Sequence, residues 1–151
     1  MMKFNTFEDV LDFAILQEKA AQQFYTKLSD EVLDPDVLLF YKTLIQEEAL
    51  HEKKLRKLKR YEYDLIEPDI ATLQESGYLD AMPIAPEVTF TEAVRYAIKK
   101  EKSARMLYRT LAQMCEHQKL TDLFNDLAEQ EKSHADYFQA EYKDMLAAPG
   151  K

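Results

Sequence analysis

The chain repeats itself at one fixed distance, and that repeat limits the folds open to it. Shifting the sequence so that Thr6 meets Thr89 lays TFEDVLDFAILQEKAAQQFYTKL over TFTEAVRYAIKKEKSARMLYRTL. Thr, Phe, Ala, Ile, Glu, Lys, Ala, Tyr and Leu coincide, and the same shift carries Glu48 onto Glu131 and His51 onto His134. One offset relates the two halves without a gap, so the chain reads as a duplicated helical hairpin.

Within each half the apolar residues follow helical spacing. Phe7, Leu11, Ala14, Glu18, Ala21, Tyr25 and Leu28 recur at alternating four- and three-residue steps, the inward stripe of a bundle helix. A second stripe runs Val37, Tyr41, Leu44, Glu48, His51, Leu55 and Leu58. The third is Phe90, Val94, Ala97, Glu101, Ala104, Tyr108 and Leu111. The fourth is Leu120, Phe124, Leu127, Glu131, His134 and Phe138, fading near Met145. Asn5 or Thr6 can cap the first helix, with Glu8 placed to close a capping box on Asn5, and Thr89 caps the third with Glu92 reaching back. Asp34-Pro35 reads as the N-cap and first-turn proline of the second.

These stripes predict an all-α fold, a single ferritin-like domain over residues 1–151. It is expected to be an antiparallel four-helix bundle with hairpins at about 6–63 and 89–146 and a crossover at about 64–88 between helices 2 and 3. Pro68, Gly77, Pro83 and Pro86 suit a connection better than a bundle helix, although IATLQESGYL allows a short helical turn on the way. A helix of about 25 residues is roughly 38 Å long, and a connection of this length crosses that distance with slack. Two short loops flanking one long crossover make the ferritin-like variant of the bundle.

Each apolar stripe is interrupted at its middle by a glutamate. A buried carboxylate without a partner forfeits many kcal/mol of hydration, so glutamate is almost never buried alone. Glu18, Glu48, Glu101 and Glu131 occupy core-facing positions at matching heights, and no Lys or Arg lies on the stripes to neutralise them. Two divalent cations would balance four carboxylates. Glu48-Ala-Leu-His51 and Glu131-Lys-Ser-His134 each put a carboxylate and an imidazole one turn apart on one helix face. A lone Glu from two helices and Glu-x-x-His from the other two is the ligand set of di-iron and di-manganese bundles. A single Glu-x-x-His on a charged helix means little; two, both on the stripe and related by the repeat, are specific. The candidate metal ligands are therefore Glu18, Glu48, His51, Glu101, Glu131 and His134. Mixed oxygen and nitrogen ligation suits iron, with manganese or a mixed pair possible, and the lack of thiolates argues against structural zinc.

Other features receive weaker readings. Tyr25 and Tyr108 lie two turns beyond Glu18 and Glu101 on the same faces, where their hydroxyls could orient ligand carboxylates or could be core groups with some other acceptor. Lys53, Lys54, Arg56, Lys57, Lys59 and Arg60 crowd the end of the second helix, where cations complement the helix dipole; a docking patch for an acidic redox partner is the lesser reading. Cys115 reads as a small boundary residue at a helix end and His117 as a solvated helix-end histidine. One cysteine allows neither an intramolecular disulfide nor a four-cysteine metal site. A formal net charge of −8 disfavours a nucleic-acid surface. No apolar run nears the roughly 20 residues that span a bilayer, and acids in MMKFNTFEDVLDF break any export signal. A cytoplasmic location is the resulting expectation, with no nucleic-acid and no membrane partner.

The sequence resembles the ferritin-like domain of rubrerythrins, through AIxxEKxAxxFY at Ala14–Tyr25 and QEExxH at Gln46–His51. Glu101-Lys102 repeats the EK of the first helix, and QEKSH runs from Gln130 to His134. The resemblance implies a non-haem di-iron centre with Glu48 and Glu131 bridging, Glu18 and Glu101 terminal, and His51 and His134 each completing one iron. It also implies a homodimer and a role in oxidative-stress defence. A full rubrerythrin has a four-cysteine rubredoxin module, which this sequence is expected to lack, so a separate donor such as a rubredoxin-like protein or flavoprotein would supply electrons. Rubrerythrins also carry a further glutamate one turn beyond the helix-three ligand, where this chain has Ala104.

The expected function is thus a di-iron oxidoreductase, a peroxidase or oxidase reducing hydrogen peroxide or dioxygen. A ferroxidase or iron-binding protein without peroxidase turnover is the alternative, and a helical adaptor that keeps metal for stability is a third class.

Overall fold

The computed structural model describes residues 4–59, 69, 71, 73, 77 and 89–147. Among them lie four long helices and no strand: α1 (Phe7–Ser29), α2 (Pro35–Lys59), α3 (Phe90–Met114) and α4 (Gln118–Ala147). Phe7 and Phe90 open α1 and α3, and Pro35 and Gln118 open α2 and α4; the offset that takes Thr6 to Thr89 relates both pairs. The chain divides into two compact units, Met1–Ile70 and Ala71–Lys151.

In the first unit α1 and α2 form an antiparallel hairpin. Lys59 reaches Asp12, Gln22 reaches Glu52, and Glu18 meets His51, so contacts climb one helix while descending the other. Leu11, Ala14, Ala21, Tyr25 and Leu28 of α1 are buried, as are Tyr41, Leu44, Leu55 and Leu58 of α2. The hairpin formed by α3 and α4 in the second unit has the same sense, since Glu101 meets His134 and Tyr108 stacks on Phe124 at 6.3 Å. Val94, Ala97, Tyr108 and Leu111 face inward from α3, and Leu120, Phe124, Leu127 and Phe138 from α4. Phe7, Val37, Phe90, Ala104 and Met145, all placed on the stripes by spacing, are only half-buried. The apolar faces are wider than one stripe: Val10, Phe13 and Ile15 in α1, and Ala128 and Ala135 in α4, are buried beside it.

Local chemistry sets the helix starts. Thr6 is the N-cap of α1 with extended backbone (φ −132°, ψ 165°), and its hydroxyl accepts from the amide of Asp9 at 3.2 Å. The expected box between Asn5 and Glu8 is replaced by one between Thr6 and Asp9. With Thr6 as cap, Asp9 is the third helical residue, and only a side chain there can reach back to the cap amide. Asp9 Oδ2 accepts from the amides of Asn5 (2.8 Å) and Thr6 (3.1 Å). These bonds, that from Asn5 foremost, hold the Asp9 carboxyl below its ordinary range. Asp34 Oδ1 accepts from the amides of Asp36 (2.8 Å) and Val37 (3.4 Å), and Pro35 opens α2 as expected. Thr89 Oγ1 accepts from the amide of Glu92 at 3.1 Å, so the Glu92 backbone makes the bond that caps α3.

The turn between α3 and α4 is tied by backbone bonds. The His117 carbonyl accepts from Leu120 (3.1 Å) and Thr121 (3.0 Å), and α4 begins at Gln118. His117 is half-buried in this turn instead of solvated. Cys115 is the half-buried residue that ends α3, and burial pushes its thiol up to about 11.

The expected crossover lies outside the described residues apart from Asp69, Ala71, Leu73 and Gly77, as do residues 60–63 of the first hairpin. Ala71 and Leu73 are helical, and Leu73 is fully buried. Gly77 has φ 79°, a left-handed conformation that costs glycine nothing sterically. Among the described residues no helix is long and apolar enough to cross a membrane.

Two predictions follow from the packing and the caps. Leu55→Ala should cost about 2–5 kcal/mol of unfolding free energy and Thr6→Ala about 1 kcal/mol, both read from denaturant midpoints. Cys115, protonated at neutral pH, should react with iodoacetamide far more slowly than a free thiol at pH 8, with the rate climbing as pH approaches about 11.

Candidate metal centre

Each hairpin assembles one acidic triad. In the first unit, α1 supplies Glu18 from the middle of its buried face, and α2 supplies Glu48 and His51 one turn apart. His51 Nδ1 lies 3.5 Å from Glu18 Oε2 and 3.4 Å from Glu48 Oε1. Glu18 is 3% exposed, Glu48 2% and His51 0%. In the second unit α3 supplies Glu101, and α4 supplies Glu131 and His134. His134 Nδ1 lies 3.5 Å from Glu101 Oε2, and all three residues are buried. Within each triad one ligand atom per residue lies within 4.8 Å of the other two. Every residue expected to bind metal is thus buried and in one of the two triads.

The donor set fits a divalent transition-metal ion. Two donor atoms, each about 2.1 Å from a shared ion, stand about 3.0–3.4 Å apart at octahedral or tetrahedral angles. The 3.4 and 3.5 Å separations between imidazole nitrogen and carboxylate oxygen are close to that spacing and longer than a good N–H···O bond. Each triad offers two carboxylates and one imidazole with no thiolate, the oxygen-rich mix that suits iron or manganese. Burial excludes bulk water, which strengthens the attraction between carboxylates and any cation that enters.

A polar tie lies just beside the first triad. Gln22 Nε2 donates to the Glu18 carbonyl (3.2 Å) and to Glu52 Oε1 (2.8 Å), while Arg56 Nε donates to Glu52 Oε2 (2.7 Å). The Arg56 bond, helped by Gln22, keeps the Glu52 carboxyl below its usual range. This joins α1 to α2 next to His51 and steadies the helix register that sets the triad. Near the end of α2, Lys59 pairs with Asp12 and Glu8, and the Asp12 bond raises the Lys59 ammonium above its ordinary value. Two cations of the basic cluster are therefore engaged within the hairpin, and Arg60 lies outside the described residues.

Tyr25 and Tyr108 are fully buried on the faces that carry Glu18 and Glu101. Tyr25 meets Phe24 edge-on at 5.4 Å, and Tyr108 stacks on Phe124 with 19° between the rings. Lys100 escaped the sequence reading: it is 8% exposed, beside Glu101. Its signal was a second seven-residue row, Ala93, Lys100 and Leu107, all buried along one flank of the stripe.

A family model described as Rubrerythrin matches residues 92–149. Over that span the chain is similar to the rubrerythrin family. The matched span covers most of α3 and all of α4, and so includes Glu101, Glu131 and His134. The first hairpin lies outside it, yet presents the same three residue types in the same helix order. The described helices form an all-helical framework in which both hairpins bury carboxylates and a histidine. No curated protein and no solved structure is significantly similar to the chain.

The burial of four carboxylates sets a test that needs no turnover. Adding Fe(II) or Mn(II) to metal-free protein under anaerobic conditions should raise Tm, corresponding to about 2.7 kcal/mol at a hundredfold excess over Kd. Glu101→Gln should raise the Tm of the metal-free protein, because one buried charge is gone, and should shrink the metal-induced rise.

Proposed function

We propose that the chain is a non-haem di-iron oxidoreductase whose iron ligands are the residues of the two triads. Its substrate in this reading is hydrogen peroxide or dioxygen. The observation that carries the reading is the duplication of one buried set, Glu18 with Glu48 and His51, and Glu101 with Glu131 and His134. A lone Glu and a Glu-x-x-His pair, each present twice in the chain, match the donor set of the two-metal carboxylate bundle. The similarity of residues 92–149 to the rubrerythrin family supports iron as the metal. In this reading, as the family resemblance implies, Glu48 and Glu131 would be the shared ligands, Glu18 and Glu101 would each hold one iron, and His51 and His134 would each complete one.

A ferrous pair bound there would supply two electrons to an O–O bond, and with two protons a peroxide molecule becomes two waters. The protein supplies position and dryness. Four carboxylates balance the charge of two divalent ions, while Leu44, Leu127 and Ala21 keep bulk water away. The hydroxyls of Tyr25 and Tyr108 hold ligand carboxylates in orientation. In this reading an electron donor, a rubredoxin-like protein or a flavoprotein, restores the electrons.

One observation favours a second reading, iron oxidation without peroxidase turnover. Ala104, half-buried, stands where rubrerythrins carry a further carboxylate, so the ligand set is symmetric between the halves. Elemental analysis of anaerobically purified protein should give about two irons per chain, and a Glu48→Ala/Glu131→Ala variant close to none. Rapid peroxide consumption with a competent donor then supports the oxidoreductase, while oxygen-driven Fe(II) oxidation without it supports the second reading. Wild-type protein that folds yet takes up neither iron nor manganese removes both.

A further inference from the structure

The two triads are alike in their ligands and unlike in what surrounds them. The offset that lays Glu18 on Glu101 also lays Gln17 on Lys100, Gln22 on Arg105, Glu47 on Gln130 and Glu52 on Ala135. Each of these residues is buried or half-buried, and each is next to a triad residue or one turn from it. Every one of the exchanges makes the neighbourhood of the second triad more positive by one charge. Gln46 and Glu129 exchange the other way, but both are exposed, where screening is strongest.

Arg105 is the sharpest of these differences. It lies one turn beyond Glu101 on the same helix face, where Cβ atoms stand about 5–6 Å apart. In the first unit this position is Gln22, whose amide donates to the Glu18 carbonyl and to Glu52. In the second unit the counterpart of Glu52 is Ala135, so the carboxylate that would answer a cation here is missing. Arg105 Nε is buried without a hydrogen-bond partner, and among the described residues no ion pair engages the guanidinium. An arginine keeps its charge at any pH at which the protein is folded. Lys100, 8% exposed beside Glu101, brings a second positive charge into ground that water screens poorly.

We propose, on the reading that each triad holds a metal ion, that Arg105 makes the second triad the weaker metal position. Divalent ions then enter the first triad before the second. An ion held by Glu101 and His134 is repelled by a permanent charge that an ion held by Glu18 and His51 does not meet. At an effective dielectric constant of about 20, a unit charge about 8 Å from a divalent ion shifts its binding by roughly three powers of ten. Arg105 is half-buried, so solvent removes much of that, and an affinity gap of at least about tenfold is expected.

The test is titration of metal-free full chain with Mn(II), read from the electron paramagnetic resonance of the unbound ion. Wild-type protein should take up its ions in two unequal steps. Glu101→Ala/His134→Ala should keep the tight step and Glu18→Ala/His51→Ala should lose it, with helical circular dichroism retained in both. In an otherwise wild-type chain, Arg105→Gln should draw the two steps together by tightening the weaker one. Arg105→Lys, which preserves the charge, should leave them apart; a merely structural role for Arg105 would weaken binding in Arg105→Gln instead. Two equal steps, a tight step lost with Glu101 and His134, or a gap unchanged in Arg105→Gln would each overturn the proposal while leaving metal binding in place. Wild-type protein that takes up no Mn(II) at all would overturn the reading beneath it as well.

Discussion

Everything in these hairpins is arranged around the cost of placing carboxylates where water cannot reach them. Glu18, Glu48, Glu101 and Glu131 sit among leucines and aromatics, and each is joined in its hairpin by a histidine whose ring nitrogen stands near a carboxylate oxygen. An apolar residue at any of the four positions would pack more cheaply. Positions that could have been leucine therefore hold charge for a chemical reason, and the rest of each helix supplies the burial that makes the charge useful.

Much of the framework was legible because helical spacing and burial answer to the same geometry. The residues that interrupt each stripe, and most of the apolar ones on it, are buried as the spacing implies. Pro35 after Asp34 announced the start of α2 because a proline costs little where no helical bond is made. Less legible were features decided by one residue of register. Glu8 and Asp9 are both acids near a candidate cap, and choosing Thr6 over Asn5 as the cap moves the reciprocal bond from one to the other. The width of the buried face was also underestimated, since Val10, Ile15 and Lys100 lie beside the stripe rather than on it.

Lys100 and the ties outside the triads show why a site is harder to read than a fold. A lysine next to a glutamate looks like an ordinary solvated pair in sequence, and only packing reveals that this one is nearly covered. Glu52 reads as one more charge on a polar face. In space it is held between Gln22 and Arg56, with its bonds to both helices of the hairpin beside His51. Such contacts join residues distant in sequence and leave no periodic trace. The triads, by contrast, announce themselves because two of their three members lie one turn apart on the same helix.

The triads lie well inside their helices. Glu18 has eleven residues of α1 on either side, and several turns of α3 separate Glu101 from both Phe90 and Met114. Helix ends open and close far more readily than middles, because local unfolding begins where contacts are fewest. Turn-by-turn breathing at Ser29, Lys59 or Met114 therefore fades before it reaches a triad residue. The triads thus sit where fraying from the helix ends reaches least.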